Sequence, residues 1–174
     1  MNKPWDILRN INEFVRFSDT KAAIVLAFAS GSVAFLSTKA EVLHTIMVEH
    51  RGDGLGWLLY LAAFCYLVSL IATVIYSLRS IWPSLGSTET RSLIFFKHVF
   101  EDFGADHKAY AERLRSLNEA SYLDELSHQI CANASIATKK YDLVGKAIQA
   151  LTWTIGSWGV IIFIILVTGA VTPT

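Results

Sequence analysis

The chain has 174 residues, of which 53% are hydrophobic and 17% charged, with a mean hydropathy of +0.41. That composition excludes an ordinary soluble domain of this size and points to an integral membrane protein. Its 15 basic and 15 acidic residues give a formal net charge of zero, so neither a nucleic-acid surface nor a polybasic lipid clamp is expected.

Over residues 4 to 20, Trp5, Leu8, Ile11 and Val15 recur at helical spacing with Arg9, Asn10, Glu13 and Arg16 between them. This predicts an amphipathic cytoplasmic helix over residues 1–21. Residues 22–38 contain no charge and predict the first transmembrane helix. A polar stretch precedes this run and no small-residue cleavage site follows it, so it is expected to stay as an anchor. Asp19 and Lys21 stand at its mouth, either as interfacial anchors or as part of a site.

Residues 39–54 read as an external loop closed by the Arg51 to Gly56 turn, with Trp57 and Tyr60 placed as interfacial anchors of a second span over 55–78. The stretch from Ile81 to Thr88, which contains Pro83 and Gly86, breaks the helix. A cytoplasmic helical segment over 79–146 follows, with helical patterns at about 88–103, about 105–117 and from about 119 onward. The last of these has no proline and runs directly into a third span over 147–171. No alternating strand pattern interrupts the series, so the fold class is all-α, with about three transmembrane helices and a small cytoplasmic helical segment.

Thirteen Lys and Arg residues precede the first span or lie in 79–146, against two in 39–54. The positive-inside rule then puts the N-terminus in the cytoplasm and the C-terminus outside. Cys65 and Cys131 lack disulfide or metal spacing and read as small packing residues with free thiols. Glu125 and His128 share a helical face, but the second such pair that a di-iron bundle needs is missing, and no metal or other cofactor is expected. No phosphate-cradling glycine loop, His-Glu-x-x-His helix or nucleophile elbow is present, so the sequence carries no enzyme signature.

One polar constellation remains. Gln129 and Asn133 are four apart and share a face, with Lys139, Lys140 and Tyr141 about two turns on and Arg91, Lys97 and His98 on an earlier helix. Amides can read a base edge, Lys or Arg can neutralise a phosphodiester, and Phe95, Phe96 or Tyr141 can stack on a ring. The same residues also suit membrane orientation and core packing, and both readings stay open.

Asp19-Thr20-Lys21-Ala22, Phe95-Phe96-Lys97-His98, and the run from Asp124 through Gln129 and Asn133 to Tyr141 resemble the transmembrane effectors of Pycsar antiphage systems, in an order that covers nearly the whole chain. The resemblance implies a bacterial inner-membrane effector activated by cCMP or cUMP from a pyrimidine cyclase, which then compromises the bilayer and aborts infection. It makes Lys97, His98, Gln129, Asn133, Lys139, Lys140 and Tyr141 candidate ligand contacts. Asp19 is expected to pair with Lys139, Lys140 or Lys146, in competition with a ligand phosphate. Self-assembly into a homo-oligomer is expected through Ala29, Ser30, Gly31 and Ser32 in the first span and Gly156, Ser157 and Gly159 in the third. A constitutive scaffold subunit and an ungated holin-like killer are the alternatives.

Overall fold

The computed structural model describes residues 3–82 and 91–169, and among these all regular structure is helical. The helix break expected around Pro83 and the end of the third span beyond 169 lie outside the described residues. Six helices follow in order: α1 (Lys3–Ser37), α2 (Ala40–Glu49), α3 (Gly54–Ile81), α4 (Phe96–Phe103), α5 (His107–Arg115) and α6 (Glu119–Gly169). Three of them, α1, α3 and α6, are long and apolar enough to cross a membrane. The chain is an all-α membrane protein.

The chain divides into two units, Met1–Ser18 with Pro83–Lys140 and Asp19–Trp82 with Tyr141–Thr174. The second unit contains the three spanning segments. Its core joins Ile46, Leu59, Ala62, Tyr66, Ile161 and Ile164, with Leu36, Leu43 and Trp158 packed against them. Large apolar side chains such as Phe64 and Phe163, each 66% exposed, point outward. An apolar exterior on this scale suits hydrocarbon as the surrounding solvent.

The segment 39–54, expected as a loop, holds the ten-residue helix α2. Leu43, Ile46 and Met47 give it one apolar face, which joins the core of the spanning unit. The turn into α3 is tight. Gly52 takes a φ of 102°, in the region that favours glycine, and Gly56 has no room for a side chain because a Cβ there would collide with the His50 carbonyl. Glycine in the 51–56 stretch therefore serves close approach as well as the turn.

In the other unit, where a helical pattern is expected from about 88, the described residues 91–95 are non-helical and α4 begins at Phe96. Residues 91–95 are non-helical because side chains take their backbone groups. The Leu93 N–H donates to Glu125 Oε2 at 3.2 Å, its carbonyl accepts from the Tyr110 hydroxyl at 2.8 Å, and the Ile94 N–H donates to Ser92 Oγ at 3.2 Å. Gly104, at φ 53°, ends α4, and Asp106 caps α5 by accepting from the Lys108 and Ala109 N–H groups. Asn118 then opens α6 by accepting from Ser121 N at 2.7 Å. With 51 residues, α6 is about 75 Å long at 1.5 Å per residue.

Cys65 and Cys131 are both exposed and free. They are not the packing residues the sequence suggested; Cys65 lies on the outward face of α3 with Leu61, Phe64 and Val68.

Candidate functional site

The interior of the first unit is unusually polar for its size. Leu8, Leu93 and Leu126 are buried in it, and so are Ser92, His98, Gln129 and Lys140. Buried polar groups are costly unless bonded, and here Ser92, His98 and Gln129 are joined in a chain. The Ser92 N–H donates to His98 Nδ1 at 3.1 Å, and Ser92 Oγ donates to Gln129 Oε1 at 3.4 Å. Gln129 Nε2 donates to Asn133 Oδ1 at 3.2 Å, and Asn133 Nδ2 donates to Asn12 Oδ1 at 2.8 Å. The chain begins at a buried imidazole and ends at an exposed asparagine on α1.

Local structure fixes each member. Helix α6 puts Gln129 and Asn133 one turn apart on one face, and Lys140 lies seven residues beyond Asn133 on the same face. Nδ1 of His98 accepts a hydrogen bond, which places no proton on that nitrogen. The Phe95 ring lies 5.0 Å from the His98 ring in an edge-on arrangement. His98→Ala strands the buried Ser92 N–H, and a loss of about 1–3 kcal/mol is expected. A lower denaturation midpoint of the detergent-solubilised protein, with no matching loss in Lys97→Ala, checks this.

A model of the Pycsar effector protein domain matches residues 4–169. The chain belongs to the Pycsar effector family. It is also similar to the Pycsar effector protein PtPycTM of Propioniciclava tarda, 25% identical over 170 residues that cover 95% of this chain and 77% of the relative. No solved structure matches. Family membership and three span-length helices together make the chain a membrane-associated Pycsar effector.

In this Pycsar effector the residues singled out from sequence separate into groups. His98, Gln129 and Asn133 come together through Ser92. Lys97 is exposed and lies 3.8 Å from Glu101, which with Asp102 also holds Arg91 at 3.1 and 2.6 Å. Lys139 is exposed, whereas Lys140 is only 6% exposed and has an interaction partner. Tyr141 belongs to the spanning unit, where Lys21 Nζ sits 5.2 Å from its ring centroid. That is cation–π geometry, so Lys21 and Tyr141 restrain each other. Asp19 is half-buried.

Ser92, Asn12, Glu125 and Tyr110 complete the site and were not read from sequence as its members. Ser92 and Asn12 lie 37 and 121 residues from the amides they contact. One signal was available: an asparagine among the apolar positions of an amphipathic helix usually has a partner.

Proposed function

We propose that this Pycsar effector senses a cyclic pyrimidine mononucleotide, cCMP or cUMP, and responds by breaching the bacterial inner membrane, which aborts phage infection. The observation that carries the sensing role is the imidazole–amide chain, buried from His98 to Gln129, with Lys140 on the same α6 face as its amides. Amide-to-amide bonds exchange for bonds to a base edge at little net cost, since each is worth only about 1 kcal/mol. A buried lysine complements a cyclic phosphodiester.

A ligand shifts a conformational equilibrium only by its differential affinity for the two states. Gln129, Asn133 and Lys140 lie on the same uninterrupted helix that forms the third span, which supports a route from nucleotide to membrane through α6. The charge distribution supports a cytoplasmic N-terminus and an external C-terminus.

Three spans are few for a pore, so the active form is a homo-oligomer. Among the small residues, Ala29 and Ser32 are buried inside the chain, whereas Gly31, Gly156 and Gly159 face open space. Gly156 and Gly159 line an apolar groove of about 550 Å³ with Leu58, Val160 and Phe163, which suits a helix of a second copy. Leaking vesicles in which photobleaching counts only single chains would sink the oligomer.

Calorimetric titration with cCMP, cUMP, cAMP and cGMP tests the sensing role. Saturable binding of one pyrimidine nucleotide is expected, weakened roughly tenfold or more by Asn133→Ala through loss of a base-edge partner. Folded protein that binds none of the four points to the scaffold or the ungated killer instead.

A further inference from the structure

Helix α3 is polarised in a way the core alone does not require. Its outward face is apolar, with Leu61, Phe64, Leu67, Val68, Ile71, Ile75 and Leu78 all exposed. Its inward face carries Tyr66, Ser69, Thr73, Ser77 and Ser80, at spacings of three and four residues that keep them on one stripe. Thr73, Ser77 and Ser80 are completely buried, and so is Thr154 of α6, which faces Ser69 and Thr73.

At rest most of the stripe is occupied. Ser32 Oγ of α1 and the Tyr66 hydroxyl are 3.0 Å apart, and Thr154 Oγ1 donates to Ser69 Oγ at 3.0 Å and lies 3.4 Å from Thr73 Oγ1. Ser77 is different: among the described residues its hydroxyl has no hydrogen-bond partner, although it is fully buried. A serine left unbonded inside a dry bundle is a standing cost, and water reaching the stripe removes it. From residue 66 to 80 the stripe rises about 21 Å, most of a hydrocarbon core of about 30 Å.

We propose that this hydroxyl face of α3 is the wetted lining of the membrane lesion, covered at rest by Ser32 of α1 and Thr154 of α6 and reached by water and small ions when those helices part. The inference rests on the effector reading above and names the surface through which the breach occurs. Hydroxyls carry no net charge, so the lesion passes small cations and anions alike.

Full-length protein with Cys65 and Cys131 replaced by Ser is reconstituted into liposomes, with cCMP or cUMP on both faces. Ser77→Cys and Thr73→Cys are each compared with Val68→Cys on the apolar face, using the membrane-impermeant cation methanethiosulfonate ethyltrimethylammonium alongside a potassium-efflux assay. A thiol reacts as thiolate in water and is inert when buried in apolar surroundings. Nucleotide is expected to speed modification at 77 and 73 by at least about tenfold while position 68 stays slow, because only the former become hydrated. Either stripe position suffices if the other variant fails to insert. Potassium efflux with both stripe thiols unreactive overturns the lining and leaves the effector reading intact; equal modification at 68, 73 and 77 overturns it in favour of general bilayer collapse. No potassium efflux with either nucleotide overturns both.

Discussion

Lys140→Gln is expected to weaken binding of the proposed cyclic pyrimidine ligand roughly tenfold to a hundredfold, the range for removing a charged partner from a hydrogen bond. Lys139→Gln is expected to leave binding within about twofold, as is usual for an exposed charge screened by solvent. The two lysines are adjacent in sequence and identical in chemistry, yet Lys140 is buried and Lys139 is exposed. Helix geometry makes the difference: position 140 continues the stripe through Leu126, Gln129 and Asn133, whereas 139 is rotated about 100° away from it. Calorimetry on both variants, with thermal unfolding as a check on folding, reads the contrast. Equal effects from the two lysines would show that the phosphate sees only a diffuse basic surface.

The second large effect is on the fold. Gly56→Ala is expected to cost about 3 kcal/mol, at the upper end of overpacking penalties, because the new methyl would meet a backbone carbonyl rather than a flexible side chain. That carbonyl, on His50, cannot move away freely, since it accepts from the Asp53 N–H at 3.1 Å and so holds the turn between α2 and α3. A drop in melting temperature of roughly ten degrees is the expected readout in detergent. Gly145→Ala is the control: a Cβ there meets nothing within 4 Å, and removing a glycine from a helix interior gains about 1 kcal/mol of propensity. A Gly56→Ala protein as stable as its parent would show that the α2–α3 turn relaxes.

Much of this architecture is legible in the sequence because lipid imposes a coarse constraint. Uncharged runs mark the spans, and the absence of proline between residues 119 and 169 marks α6 as one long helix. What local spacing misreads is decided by distant partners. Leu93 and Phe96 have helical spacing, but Glu125 and Tyr110 claim the backbone groups of Leu93 and keep it out of α4. The apolar face of α2 is only ten residues long and passes for loop until Leu59 and Ile161 are seen to share its core. In the candidate site, the i,i+4 relation of Gln129 and Asn133 is visible in sequence, whereas their links to Ser92 and Asn12 arise only from tertiary packing.

The hydroxyls of the spans also bear on how the protein is made. Ser30, Ser32 and Ser37 of α1 each donate to a carbonyl three or four residues earlier in their own helix, and so do Ser69 and Thr73 of α3 and Thr152, Ser157 and Thr168 of α6. A hydroxyl satisfied within its own helix needs no neighbour to enter hydrocarbon. Each span can therefore leave the translocon and partition into lipid singly, with most of its hydroxyls already provided for and Ser77 of α3 an exception among the described residues. The bundle is then assembled laterally, from helices that were each competent before they met.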